Sequence, residues 1–95
     1  MRLEFSGEIW EWRGPAPFHF VTVPEAEAGM IAAASDLVTY GWGMIPVTGT
    51  AGDTAFTTSL WPQNGGYVVP LKAAVRRAEG LGIGDAVTIV LDIAV

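Results

Sequence analysis

Alternating apolar and polar positions predict that this chain is built mainly from β-strands. The clearest alternation lies near the end of the chain, where one parity carries Val87, Ile89, Leu91 and Ile93. The other parity carries Thr88, Val90, Asp92 and Ala94. A period of two with one apolar face predicts a strand that lies against a core.

The segment before this strand has the spacing of a short helix. Its apolar residues fall at i, i+3, i+4 and i+7 and are Leu71, Ala74, Val75 and Ala78. Pro70 is expected at the start of the helix, where a missing N–H does no harm. Gly80 is expected as the left-handed C-cap residue, with Leu81 folding back on Val75.

Residues 2–13 predict a long first strand. Its apolar residues change parity, from Leu3 and Phe5 to Trp10 and Trp12. This change around Gly7 predicts a bulge or bend that brings all four side chains into one core. The alternative is a strand that is buried on both faces.

Turn residues divide the middle of the chain. After a turn at residues 14–17, a second strand (18–23) is expected to pair antiparallel with the first. Pro24 then begins a helix with Glu25 and Glu27 in its first turn. The inward residues of this helix are expected to be Met30, Ile31 and Ala34.

Three further strands follow that helix. They are predicted at residues 44–50, 54–61 and 67–69, with hairpin turns at 51–53 and at Asn64-Gly65. Pro46 should occupy an edge position or a bulge. The order is therefore β-β-α-β-β-β-α-β, a mainly β fold with two short helices. Such short strands usually close into a small barrel, because closure removes edges.

A faint internal repeat supports a two-part barrel. The stretches FVTVPEAEAGMIAAA and YVVPLKAAVRRAEG both run from an apolar strand through Val-Pro into a short helix. Two such halves would build one pseudo-symmetric barrel capped by two helices. With 95 residues, of which 51% are hydrophobic, the chain is expected to be one domain, 1–95.

Charge and composition narrow the classes of function. The net charge is −5, and only Lys72, Arg76 and Arg77 form a basic cluster, so nucleic-acid binding is disfavoured. Neither a membrane span nor a signal peptide is predicted, and a cytoplasmic location is expected. Without cysteine, no disulfide or thiolate metal site is possible.

Six motifs occur in order along the chain. They are Phe5-x-Gly7-x-Ile9-Trp10, Phe20-Val21-x-Val23-Pro24, Gly41-Trp42-Gly43-x-Ile45-Pro46-Val47, Thr58-Ser59-Leu60-x-Pro62, Tyr67-x-x-Pro70-Leu71-Lys72-x-x-Val75-Arg76 and Gly84-Asp85-x-Val87. Together they resemble the DUF1905 family over essentially the whole chain. The resemblance implies a double-split or pseudo β-barrel, akin to AbrB-type swapped-hairpin barrels. It implies no activity and no catalytic residues.

No catalytic constellation is recognisable. His19 is the single histidine, and with no cysteine a metal site would have to be all carboxylate, so His19 is expected to be structural or exposed. Ser59 lacks a nucleophile-elbow motif, and no phosphate or dinucleotide loop is present. Neither a cofactor nor a metal is expected.

Two sets of residues are candidates for ligand binding. Lys72 and Arg76 share one helix face and could bind an anion, with hydroxyls from Ser59 and Tyr67 nearby. The alternative is a solvated face on which Glu79 pairs with Arg76. Trp42 and Trp61 lie at strand ends or loops and could rim a pocket or contact a partner, whereas Trp10 and Trp12 are assigned to the core.

Three classes of function follow from these features. The first is a non-enzymatic binding or accessory module for a small anionic ligand or a protein partner. The second is a nucleic-acid-binding barrel, by analogy of fold alone. The third is an enzyme acting on a small anionic substrate through Ser59, Lys72 or Arg76. A monomer or a weak homo-oligomer is expected.

Overall fold

The computed structural model describes residues 1–38 and 43–94, in which six antiparallel strands close into a barrel. The elements are β1 Arg2–Trp12, β2 Phe18–Thr22, α1 Glu25–Val38, β3 Ile45–Ala51, β4 Thr54–Gln63, β5 Gly66–Pro70, α2 Ala73–Glu79 and β6 Ala86–Asp92. The predicted mainly β fold, with its two helices and its order of elements, is confirmed.

The barrel has the two-part symmetry that the internal repeat predicted. Its strand order is β1-β2-β5-β4-β3-β6, with β6 closing on β1. Exchanging β1 with β4, β2 with β5 and β3 with β6 leaves every neighbour in place, and it also exchanges α1 with α2. At the centre of this arrangement β2 pairs with β5, where Val21 lies opposite Val69.

Two long strands connect the parts of the barrel by changing neighbours along their length. Strand β1 pairs with β6 over residues 2–8 and with β2 over residues 9–12. Strand β4 pairs with β3 over residues 54–60 and with β5 over residues 61–63. Each of these strands therefore pairs with one neighbour along its first part and with another along its second part. This fixes the register of the two ladders relative to each other.

The core fills the inside of the barrel. The predicted inner face of β6 is confirmed, since Val87, Ile89, Leu91 and Ile93 are all buried. They pack in one cluster with inner residues of the other strands and with Ile31 of α1 and Val75 of α2. Each fully buried aliphatic side chain of this kind contributes about 1.5–3 kcal/mol, so the interior dominates stability.

The predicted bulge in β1 is wrong. The ladder between β1 and β6 runs without a skipped residue, and Leu3, Phe5 and Ile9 all lie on the inner face. Gly7 is needed for a different reason: a Cβ there would lie 2.8 Å from Cγ1 of Val21, which fills the space.

Because the alternation along β1 is unbroken, Trp10 and Trp12 lie on its outer face. Trp10 is half-buried, and Trp12 is 39% exposed. Their assignment to the core is therefore wrong, and so is the alternative of a strand buried on both faces.

Helix α1 begins directly after Pro24, as predicted, and of its predicted inward residues Ile31 is buried and Ala34 is half-buried. Ala28 and Ile31 are buried, whereas Met30 is 52% exposed, so the inward role predicted for Met30 is wrong. The sequence offered Met30 and Ile31 side by side, and neighbours on a helix point about 100° apart. Ile31 points into the barrel core, and Met30 therefore lies to the side of it, toward solvent.

Helix α2 is shorter than predicted at its start. Pro70 is the last residue of β5, and Lys72 is the N-cap residue, so the expected proline at the helix start is wrong. Val75 is buried, but Ala74 and Ala78 are exposed. The apolar stripe is therefore narrower than predicted.

The C-terminal cap of α2 is confirmed. Gly80 has φ 65° in the left-handed region, and the N–H of Leu81 donates to the carbonyl of Arg76 at 2.8 Å. Leu81 packs against the core cluster. This cap turns the chain from α2 toward β6 and satisfies a carbonyl at the helix end.

Both predicted hairpin turns are present. Gly52 and Asp53 join β3 to β4, while Asn64 (φ 51°) and Gly65 (φ 79°) join β4 to β5. Two central residues with positive φ are typical of the type I′ turn that Asn-Gly favours. Pro46 lies opposite Ser59 but beyond the β3–β6 ladder, which ends at Thr48, in agreement with its predicted edge position.

Gly49 should be the least replaceable glycine in the barrel. A Cβ at this position would lie 2.1 Å from the carbonyl oxygen of Val90 on the neighbouring strand. We expect Gly49→Ala to lower the free energy of unfolding by about 3 kcal/mol, because backbone on both strands must move. Denaturant unfolding measures this change.

Gly82→Ala is the matched control, since the nearest atom to its Cβ is 3.9 Å away and its φ is not positive. It should change stability by no more than about 0.5 kcal/mol. Equal effects of the two substitutions would contradict the close strand contact at Gly49.

Candidate functional site

Five aromatic side chains form a cluster on the outside of the barrel. The pairing of β1 with β2 places Trp10 opposite Phe20 and Trp12 opposite Phe18. Trp61 of β4 contacts the rings of Phe18 and Phe20 edge-on, at centroid distances of 4.7 and 5.2 Å. We call these five residues the outer aromatic cluster.

The cluster buries Phe20 as completely as the core buries its own residues. Phe20 is only 1% exposed although it lies on the outer face, because Trp10 and Trp61 cover it. At the other end, the ring of Trp12 lies over Gly14, where a Cβ would come within 1.9 Å of it. Edge-to-face contacts of this kind add about 0.5–1.5 kcal/mol per pair beyond buried area.

A groove of about 630 Å³ opens beside the Trp10 end of this cluster. One side is the outer barrel surface at Trp10, Thr22 and Val68. The second is helix α1, and the third is the hairpin that joins β4 to β5. We call this the α1 groove. Trp10 is held at its edge because its indole N–H donates to Oγ1 of Thr22 at 2.9 Å.

Small and polar residues give the α1 groove its shape and chemistry. Helix α1 contributes Glu25, Ala28, Gly29 and Ala32, and the hairpin contributes Gln63, Asn64, Gly65, Gly66 and Tyr67. The lining therefore offers two aromatic side chains, two side-chain amides and one carboxylate. No lysine, arginine or histidine is among the lining residues described by the structure.

The six residues singled out from the sequence are spread over the barrel. Tyr67 lines the α1 groove, and Trp61 belongs to the outer aromatic cluster. Ser59 is half-buried on β4. Lys72 is exposed at the start of α2, and Arg76 donates from Nε to the carbonyl of Leu71 at 3.2 Å. Trp42 lies outside the described residues.

The basic residues of α2 do not line the groove that Tyr67 lines. Tyr67 is the second residue of β5, whereas Lys72 follows the end of that strand and precedes α2. Trp61 and Ser59 are two residues apart on β4 and so share a face. The candidate residues therefore occupy at least two regions, and Tyr67 is separated from the basic residues with which it was grouped.

Glu79 does not pair with Arg76. Its carboxylate accepts hydrogen bonds from Oγ1 of Thr54 and from the N–H of Asp53, so it holds the β3–β4 turn. In the described part of the chain, the ion pair is instead Arg13 with Glu11, at 3.1 Å. Arg13 is 87% exposed, so that pair contributes little. The predicted pair of Glu79 with Arg76 is wrong.

His19 lies within β2, opposite Glu11 of β1, and is half-buried. Its carbonyl accepts the N–H of Leu71 at 2.9 Å, which ties the end of β5 to β2. Among the side chains that the structure describes, no group of three or more His, Asp or Glu residues is placed to hold a metal ion. Nor does the described part of the chain contain a helix that could cross a membrane.

Sequence reasoning missed Trp10, Glu25 and Gly29 as lining residues of the groove. Trp10 had been assigned to the core, and Glu25 was explained by the helix dipole alone. Gly29 carried the one usable signal, because a glycine inside a helix needs a reason. The sequence could not say which surface that glycine would face.

Comparison with known proteins identifies a family but no activity. A search of curated proteins found no match. The family model described as a domain of unknown function, DUF1905, matches residues 5–91. The chain therefore belongs to the DUF1905 family, as its six motifs indicated.

The bond from Glu79 to the β3–β4 turn can be tested directly. Glu79→Ala should lower the free energy of unfolding by about 1 kcal/mol, because the Thr54 hydroxyl and the Asp53 N–H lose a charged acceptor. Thermal or denaturant unfolding measures the loss. Arg77→Ala, at an exposed position of the same helix, is the control and should change stability by no more than about 0.5 kcal/mol. If both variants behaved alike, the role of Glu79 would be refuted.

Proposed function

We propose that this protein is a non-enzymatic binding module that holds a small organic ligand in the α1 groove. The observation that carries the proposal is Gly29, which lies in the second turn of α1 and lines the groove. A glycine inside a helix costs about 1 kcal/mol relative to alanine. A ligand that uses the space left by the missing side chain would offset this cost.

Packing does not explain Gly29. A Cβ at this position would meet no atom within 4 Å outside its own stretch of helix, so alanine would fit there without a clash. By contrast, Gly7 and Gly49 are required by close neighbours. The space beside Gly29 is open, and it opens into the α1 groove. Keeping that space free for a ligand is the role that we assign to this residue.

The size and lining of the groove support the same function. A volume of about 630 Å³ lies within the range of roughly 300–1,000 Å³ that is usual for small-molecule sites. Apolar surface from Val23, Ala28 and Val68 lies next to the amides of Gln63 and Asn64. Such a mixture is typical of sites that bury most of a ligand and orient it with a few polar contacts.

The alternatives have less support. An anionic ligand or substrate would depend on Lys72 and Arg76, but Lys72 is exposed and the Nε of Arg76 is used within its own segment. A nucleic-acid backbone would meet a molecule of net charge −5. A protein partner would be expected at the outer aromatic cluster, but of its five side chains only Trp12 is exposed, at 39%.

A substitution that fills the α1 groove should abolish ligand binding without lowering the stability of the protein. Gly29→Gln places a side chain in the open space, and it should stabilise α1 by about 0.5 kcal/mol through helix propensity. Ligand-observed and ¹⁵N–¹H NMR screening with a library of small neutral and charged fragments measures binding. We expect hits to shift the Trp10 indole N–H and the amides of Gly65 and Gly66 in the natural sequence, and not in Gly29→Gln.

Ala33→Gln is the matched control, because Ala33 is exposed on the same helix but does not line the groove. This variant should keep every hit. Fragments that bind Gly29→Gln as well as the natural sequence would place the site elsewhere. A screen with no hit at the groove would refute the proposed function.

A further inference from the structure

We infer that the ligand of the α1 groove is an organic cation, a compact ammonium or quaternary ammonium group carried on an apolar chain. This inference rests on the proposed function, since it concerns the same groove. Two observations support it: the negative charge of the groove lining, and the presence of two aromatic side chains, Trp10 and Tyr67, in that lining.

Among the lining residues that the structure describes, Glu25 supplies the one carboxylate. The basic residues of the chain are Arg2, Arg13, Lys72, Arg76 and Arg77, and none of them lines the groove. The net charge of −5 adds a long-range attraction for cations. An anion entering the groove would meet a carboxylate and find no lysine, arginine or histidine.

Helix α1 begins at Glu25, and the positive end of its dipole opposes the negative charge of the groove lining. The dipole places the equivalent of about +0.5 charge at a helix N-terminus, whereas the Glu25 carboxylate carries a full negative charge. Glu27 adds a second negative charge in the same turn. The net sign at this end of the groove therefore stays negative.

Aromatic side chains supply the second half of a cation site. Trp10 and Tyr67 both line the groove, and ring faces attract cations within about 6 Å, with tryptophan the strongest. The indole N–H of Trp10 is already used by Thr22. What Trp10 offers a ligand is therefore its ring surface rather than a hydrogen-bond donor.

Two probes of the same shape test the charge. Choline and 3,3-dimethylbutan-1-ol differ in having nitrogen or carbon at the branched centre, so only choline is cationic. Titration of each into the ¹⁵N-labelled protein at low salt should give shifts at the Trp10 indole N–H and at the Gly65 and Gly66 amides. We expect choline to bind at least about five-fold more tightly than the alcohol, from the combined carboxylate and ring contributions.

Two matched variants locate the charge. Glu25→Gln should weaken choline binding by about two- to five-fold, in the range for an exposed ion pair, and should leave binding of the alcohol unchanged. Glu27→Gln removes the same charge from the same turn, but Glu27 does not line the groove. It should change choline binding less than two-fold, about the effect of screened charge alone.

The outcomes separate this inference from the proposed function. Suppose that both probes bound equally and that Gly29→Gln abolished the binding of both. The α1 groove would then be confirmed as a binding site, and the inference that its ligand is a cation would be refuted. Equal losses in Glu25→Gln and Glu27→Gln would refute a direct contact with Glu25. If choline caused no NMR shift at the groove residues, the inference that the ligand is a cation would be refuted. The fragment screen would then decide the proposed function separately.

Discussion

The unbroken alternation of inner and outer residues along β1 is the constraint on which the rest of the structure depends. It keeps Leu3, Phe5 and Ile9 inside, and it leaves Trp10 and Trp12 outside. Gly7 makes this possible, because the space above it is taken by Val21 of β2. The outer aromatic cluster and one side of the α1 groove follow from the same alternation. The packing of the interior side chains of β1 thus determines which aromatic side chains of that strand lie on the outer surface.

Local signals were sufficient for most of the fold. The alternation of β6, the Asn64-Gly65 turn and the Gly80 cap each depend on a few neighbouring residues, and each is confirmed. The errors arose where the answer depends on distant residues. A tryptophan is expected inside on average, but the position of Trp10 was decided by which strand parity the barrel encloses.

The candidate site was less predictable than the fold for the same reason. Tyr67 was singled out from the sequence and does line the groove, but its neighbours there come from β1, α1 and the β4–β5 hairpin. No local pattern links Glu25 or Gly29 to Tyr67. Likewise, the spacing of Arg76 and Glu79 allowed a pair on α2, and only the fold shows that the β3–β4 turn provides better partners for Glu79.

The two-part symmetry has a consequence for how the chain holds together. If it is divided at the turn between β3 and β4, only the pairings of β1 with β2 and of β4 with β5 lie within a half. The other four described pairings join one half to the other. Neither half can complete its hydrogen bonds or cover its apolar face alone. The two halves therefore share a sequence pattern and a topology, but neither is stable on its own. The barrel must form and unfold as one cooperative unit.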